Sequence, residues 1–310
     1  LNIWSVILLS GSLIVGQSAF AGPLRDFFKE RAIKKTEAIP APVVTGVVKQ
    51  KIEKPGDYTF AIQHGSLTRY YIVHVPKSYR AELPVPLLLV LHGGGGDMQT
   101  QATDEFYKQI SKSESEGFVA VFVNGYSRFK SGKFATWNAG SCCAAARDQN
   151  IDDVGFIKQV VTNVREQLNI DKKKIYAAGM SNGAMMSYRL ACEMSDVFSG
   201  IAAVAGTDNT VTCPQGTAVS ILHIHAQNDD HVLFAGGAGE KAFKDRSLVS
   251  EFVSVPRTVE KWVSRNGCKA PPKRILEKDG AYCDRYSGCK ANSSVQLCVT
   301  STGGHSWPGG

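Results

Sequence analysis

The run Gly179-Met180-Ser181-Asn182-Gly183 constrains this chain more than any other feature. It follows an apolar stretch, Ile175-Tyr176-Ala177-Ala178, and precedes a segment from Ala184 to Ala191 that reads as a helix. A serine between two near glycines at a strand-to-helix turn is the setting of a nucleophile elbow. Such a turn is so tight that a side chain at 179 or 183 would strike the adjacent strand or helix. Its strain lifts the Ser181 hydroxyl off the backbone, and the amino end of the following helix adds partial positive charge beside it. The five-residue pattern arises by chance in chains of this length, so its meaning depends on what surrounds it.

Strand-like apolar runs alternate with helix-like segments. Residues 70–76 alternate in polarity and read as a half-exposed strand, while 86–91 and 118–123 are continuously apolar, as strands covered on both faces are. Asp152 and Asp153 cap a long helix whose Val154, Ile157, Val160, Val161, Val164 and Leu168 share one face. The 175 strand, the elbow and a helix over 182–194 come next. Strands at 201–205 and 219–224, a helix over 257–266 and a last strand at 295–299 complete the pattern. This alternation predicts an α/β fold, with a mainly parallel central sheet and helices on both faces. Active sites in such sheets form where loops leave the carboxyl ends of strands.

Three further loops occupy such positions. His92-Gly93-Gly94-Gly95-Gly96 follows the 86–91 strand. Glycines there let amide N–H groups approach a ligand closely. No Gly-Lys-Ser/Thr follows, so an oxyanion-binding loop is the better reading than a phosphate loop. Its partner donor would be the N–H of Asn182, next to the nucleophile. His225-Ala226-Gln227-Asn228-Asp229-Asp230 follows the 219–224 strand and offers a carboxylate that could orient an imidazole. Asp229 and Asp230 are not separable on chemistry alone. His223 and His225 lie two apart on one strand face, an arrangement able to bind metal, but no third ligand is evident and no metal is expected. Gly303-Gly304-His305-Ser306-Trp307-Pro308-Gly309 follows the last strand and supplies a histidine base.

The ends and the cysteines speak to compartment. Residues 3–15 are apolar and Ala19-Phe20-Ala21 gives a small-x-small cleavage pattern, so residues 1–21 read as a signal peptide, too short to span a bilayer comfortably. The expected location is secreted, extracellular or periplasmic, without stable membrane insertion. Residues 22–55 hold eight Lys/Arg against four Asp/Glu and read as an exposed basic lead-in. The net charge of +7 is mild, and no basic face with interleaved aromatics suggests nucleic acid. Residues 56–310 read as one catalytic domain. Eight cysteines in an exported chain predict disulfides. Adjacent Cys142 and Cys143 are expected to find distant partners, since neighbours strain the bridge.

The order Ser181, Asp229, His305 is the nucleophile–acid–base order of α/β-hydrolases. With Trp137-Asn138-Ala139-Gly140-Ser141-Cys142-Cys143, Asp152-Asp153-Val154-Gly155-Phe156 and the loops above, the chain resembles the secreted polyhydroxybutyrate depolymerase family, which also holds feruloyl and acetylxylan esterases. The resemblance covers roughly residues 56–310. It implies an α/β-hydrolase fold with Ser181 as nucleophile, Asp229 as acid, His305 as base, and Gly94 and Asn182 as oxyanion donors. Gln227 and Asp230 stand where the family has Thr or Ser and Pro. The resemblance also pairs Cys268 with Cys289, and leaves Cys283 and Cys298 to bridge each other. The family usually continues to a closing helix, so the sequence is expected to be cut short after Gly310. Trp137 and Trp307 are candidates for a substrate pocket wall. The implied substrate is an ester of polyester, oligoester or polysaccharide type, cleaved without a cofactor. The alternatives are a feruloyl or acetylxylan esterase and, outside enzymes, a non-catalytic secreted binding protein on a hydrolase scaffold. The oligomeric state is not legible.

Overall fold

In a computed structural model, residues 51–242 and 251–308 are described. The expected signal peptide and all of the lead-in before residue 51 lie outside them.

Among the described residues, ten strands form one sheet. They are β1 (Gly56–His64), β2 (Leu67–Val75), β3 (Val85–Leu91), β4 (Val119–Val123), β5 (Ile170–Met180), β6 (Gly200–Val204), β7 (Ser220–Ala226), β8 (Lys273–Lys278), β9 (Ala281–Tyr286) and β10 (Val295–Thr300). Their order is β1-β2-β4-β3-β5-β6-β7-β10-β9-β8. The β4, β3, β5, β6, β7 and β10 strands run parallel. Antiparallel strands flank them: β1 and β2 on one side, β9 and β8 on the other. This is the α/β-hydrolase sheet, extended at its far edge by a hairpin.

The helices are α1 (Met98–Gln101), α2 (Asp104–Tyr107), α3 (Gln109–Glu116), α4 (Ala144–Asp148), α5 (Asp153–Gln167), α6 (Asn182–Glu193) and α7 (Val255–Asn266). Both faces of the sheet are covered, and strand alternation shows it. Leu87, Leu89, Leu91, Val119, Val121 and Val123 join one core cluster, which takes in residues of α5, α6 and α7. Their neighbours Val90, Ala120 and Phe122 join a second, with Met98 of α1 and Ile110 of α3. Successive strand residues point to opposite faces, so a continuously apolar strand can feed both. The strand expected to be half-exposed, now β2, is buried on both faces, with Tyr71, Ile72, Val73 and Val75 each at most 1% exposed. Its polar member His74 is covered too, and its ring meets Asp57 and Glu114 at the rim.

Local sequence sets the helix ends. Asp152 caps α5, accepting the Gly155 N–H at 2.9 Å. Ser254 caps α7, Pro256 occupies its first turn, and Gly267 ends it at φ +62°. The α7 residues Val255, Thr258, Val259, Trp262 and Asn266 are buried at helical spacing. Asp153, read from sequence as part of the cap, instead sits fully buried against Arg69, 2.6 Å away, and accepts the Asn138 N–H.

The disulfides are Cys192–Cys213, Cys268–Cys289 and Cys283–Cys298. Cys142 pairs with Cys143 itself, contrary to the expectation of distant partners. With the other six cysteines engaged among themselves, these two have no other sulfur left to meet.

Candidate active site

Four parallel strands, β3, β5, β7 and β10, release their loops at the same sheet edge, because parallel strands present all their carboxyl ends together. The glycine loop, the elbow, the Asp229 turn and the His305 loop therefore meet. They surround a cavity of about 340 Å³ lined by His92, the four glycines after it, Ser181, Asn182, His231 and His305, with Met185, Val232 and Phe252 as apolar wall.

The elbow has the geometry its sequence demands. Ser181 sits at φ +55°, ψ −122°, a strained conformation that needs the surrounding structure to hold it. Its N–H is tied to Val204 O at 2.8 Å, and its carbonyl accepts from Met185 in the first turn of α6. A Cβ on Gly179 would collide with the Gly183 carbonyl. One on Gly183 would collide with the carbonyl oxygens of Leu91 and His92.

The glycine loop lies against the elbow. A Cβ placed on Gly93 would fall 3.6 Å from Ser181 Cβ, and one on Gly94 3.6 Å from Asn182 Cβ. Gly95 N–H donates to Ala135 O and Ala135 N–H to Gly96 O, so the loop is strapped to the 126–136 segment. Neither the Gly94 nor the Asn182 N–H donates to another group among the described residues.

His92 holds this loop from behind. Gly125 N–H donates to its Nε2 at 2.9 Å, so Nε2 is unprotonated, and the Nδ1 proton goes to Gly93 O at 2.7 Å. Burial depresses the imidazole to a pKa of about 4, partly opposed by the Gly93 bond. Trp137, expected as a pocket wall, is fully buried and does not line the cavity. Its indole N–H donates to His92 O at 3.0 Å. Its backbone N–H and C=O exchange hydrogen bonds with the Asn182 amide, at 2.7 and 3.1 Å. It is a brace between the two loops. Trp307 is half-buried at the rim, edge-on to the cavity residue Tyr107 with centroids 5.7 Å apart.

Asp229 and Asp230 part company. Asp229 is buried and faces His305 Nδ1, with its oxygens at 2.9 and 3.1 Å. Its Oδ1 also accepts the His231 and Val232 N–H groups, each at 2.9 Å. Burial pushes this carboxyl up, but hydrogen bonds from His225 and His305 and the field of His305 outweigh it and hold the group well below the usual carboxylate range. Asp230 is a surface partner of His231 and Lys241. His305 shares the cavity with Ser181, and no hydrogen bond joins the two in this conformation. With Nδ1–H given to Asp229, His305 Nε2 keeps its lone pair.

His231 went unmarked in the sequence, although it follows the Asp pair directly. Its ring stacks on His305, centroids 4.4 Å apart and planes 18° from parallel. Asp229, His231 and His305 have donor atoms within 4.8 Å of one another. Stacked rings, however, send their lone pairs side by side rather than to one point, and Asp229 Oδ1 is already held by two amides. The cluster suits stacking rather than coordination.

The sheet, with a serine elbow on one edge, defines an α/β-hydrolase. The Esterase family model, described as "Putative esterase", matches residues 68–267, and the chain belongs to that family. It is 28% identical over 244 residues to feruloyl esterase B of Piromyces equi, covering 76% of this chain but 42% of that protein. It is 26% identical over 247 residues to feruloyl esterase C of Emericella nidulans, covering 76% of each. Acetyl xylan esterase from Aspergillus awamori shares the fold at a TM-score of 0.58 and 13% identity, over 81% of this chain and 95% of that one. This chain thus spans less than half the length of feruloyl esterase B.

Proposed function

We propose that this chain is a serine carboxylic-ester hydrolase working through an acyl-enzyme on Ser181. One observation supports the reading: Ser181, His305 and two unengaged amides, Gly94 and Asn182, border a single cavity, and Asp229 backs His305 from behind. His305 Nε2 takes the Ser181 proton as Oγ attacks the ester carbonyl. Asp229 fixes the imidazole tautomer and balances its charge. The tetrahedral oxygen is received by the Gly94 and Asn182 N–H groups, each such donor being worth roughly 10²–10³ in rate. The His305 proton passes to the departing alcohol, and water then clears the acyl group by the same route.

The substrate proposed first is a hydroxyalkanoate-type ester, polymer or oligomer, following the depolymerase motifs in the sequence. A hydroxycinnamoyl ester such as a feruloyl group is the second reading, favoured by the relatives that bear that name. The working unit proposed is the domain from residue 56, exported behind the leader. Its paired cysteines, with none free among the described residues, support an oxidising compartment.

A fluorophosphonate should label the wild type and not Ser181→Ala. An unlabelled wild type would favour the non-catalytic binding reading. Release of hydroxybutyrate from oligomers against ferulate from methyl ferulate then separates the two substrates.

A further inference from the structure

Behind Asp229 runs a line of buried rings that the acyl-transfer steps do not use. Tyr188 on α6 and His223 and His225 on β7 are each at most 1% exposed. Tyr188 Oη lies 2.7 Å from His223 Nδ1, and His223 Nε2 lies 3.2 Å from His225 Nδ1. His225 Nε2 lies 2.7 Å from Val232 O and 3.2 Å from Asp229 Oδ2. Residues two apart on a strand share a face, and the two imidazoles stack with planes 6° from parallel.

The far end fixes every proton. Val232 O and the Asp229 carboxylate only accept, so His225 Nε2 carries hydrogen. A neutral imidazole then has a lone pair on Nδ1, and His223 Nε2–H donates to it. His223 Nδ1 is left to accept the Tyr188 O–H. All three donors point toward Asp229. The reverse order would set a His225 lone pair against two acceptors. Burial, with His225 adding to it, holds His223 well below the ordinary imidazole range, so its ring stays neutral. Burial and the charge of Asp208 push the Tyr188 hydroxyl well up. Beyond Tyr188 the line stops: its hydroxyl has no second hydrogen-bond partner among the described residues. A line with a closed end cannot drain protons to solvent.

We propose that His225, polarised by His223 and Tyr188, is a positioning residue for Asp229. It pins the 229–232 turn through Val232 O, and its N–H shares Asp229 Oδ2 with His305 and offsets part of the negative charge there. The inference rests on the acyl-transfer reading of this site. Without that N–H, Asp229 presents more charge to His305, which protonates more readily. The acidic limb of the kcat/KM profile therefore moves to higher pH. The other titratable groups facing the pair are His231, stacked on His305, and Asp230 and Lys241 beside it. They are common to all variants, so the shift is read as a difference.

In the full chain, His225→Phe should lower kcat by roughly tenfold or more, leave KM near its original value, and raise the midpoint of the acidic limb by about half a unit to one unit. KM holds because His225 does not line the cavity. His225→Gln, which keeps an N–H donor, should restore most of kcat and return the limb toward its original place. A folded His225→Phe with an unmoved limb, or a His225→Gln as impaired as His225→Phe, overturns the proposal. If His225→Phe fails to fold, the ¹⁵N-histidine spectrum of the wild type decides. Both His223 and His225 should be Nε2–H tautomers at neutral pH, and either one found as Nδ1–H overturns the proposal. A wild type that neither hydrolyses esters nor takes up a fluorophosphonate defeats the esterase reading instead, a result distinct from an active enzyme with an unmoved limb.

Discussion

Acidification should loosen the glycine loop after β3, and His92 is the reason. In the folded chain His92 is neutral, fully buried, and accepts the Gly125 N–H through Nε2. Its pKa is lowered to about 4, against an unfolded value of 6.5. Protonation removes that acceptor and places a cation behind Gly93. A group depressed on folding leaves stability whole above its unfolded pKa and erodes it as pH falls toward the folded one. The window is therefore from about pH 6.5 down to about 4. Between pH 7 and pH 4 the unfolded chain takes up about three quarters of a proton here and the folded chain about half of one, the unfolded chain taking up most of its share well above pH 4. The difference integrates to about 3 kcal/mol of lost stability. His92→Gln keeps one donor and one acceptor but no titrating group. Urea unfolding at a series of pH values should give the wild type a loss about 3 kcal/mol larger than the variant's over that interval. Every other titrating group, including buried His223, is shared and cancels. Parallel stability curves for the two proteins would refute the reasoning.

Other outcomes follow from the same geometry. Asp229→Asn should cut kcat by roughly 10⁴ by favouring the wrong His305 tautomer, while Asp230→Asn, altering only a surface pair, should leave it within a few-fold; ester turnover checks both. Arg69→Met leaves the buried Asp153 without its cation and should cost about 3–5 kcal/mol, read from the denaturant midpoint. Gly183→Ala sets a methyl group against the Leu91 and His92 carbonyls and should cost about 1–3 kcal/mol, read as a lower Tm. Replacing Cys192 and Cys213 together by Ala opens a bridge across 21 residues of chain and should lower stability by about 3 kcal/mol.

The parallel core was legible because its strands bury both faces, so β3, β4 and β5 stand out as unbroken apolar runs. The elbow was legible because no residue but glycine fits at 179 and 183. Other parts were hidden for physical reasons. The β1 strand mixes polar and apolar residues because it pairs on one side only, and all six residues of β8 are exposed, so it carries no core signal. Trp137 looked like a pocket aromatic. Nothing local to it says that Asn182, 45 residues on, takes both of its backbone groups. The difference between Asp229 and Asp230 likewise arises at a distance: it is Asp229 that meets His305, 76 residues away. The Cys142–Cys143 pairing could not be read until the remaining sulfurs were accounted for.

The hairpin of β9 and β8 changes what kind of strand carries the His305 loop. Without it, β10 would be the rim of the sheet, with a free row of amides and carbonyls beside the loop that holds His305. Unprotected rims recruit other chains. Here the vulnerable border lies two strands outward, on β8, where Lys273, Arg274, Glu277 and Lys278 discourage docking. The Cys283–Cys298 bridge rivets β9 to β10. The histidine thus hangs from a clamped beam, and loss of that rivet in a reducing milieu would be felt first as drift of the imidazole, well before the sheet itself came apart.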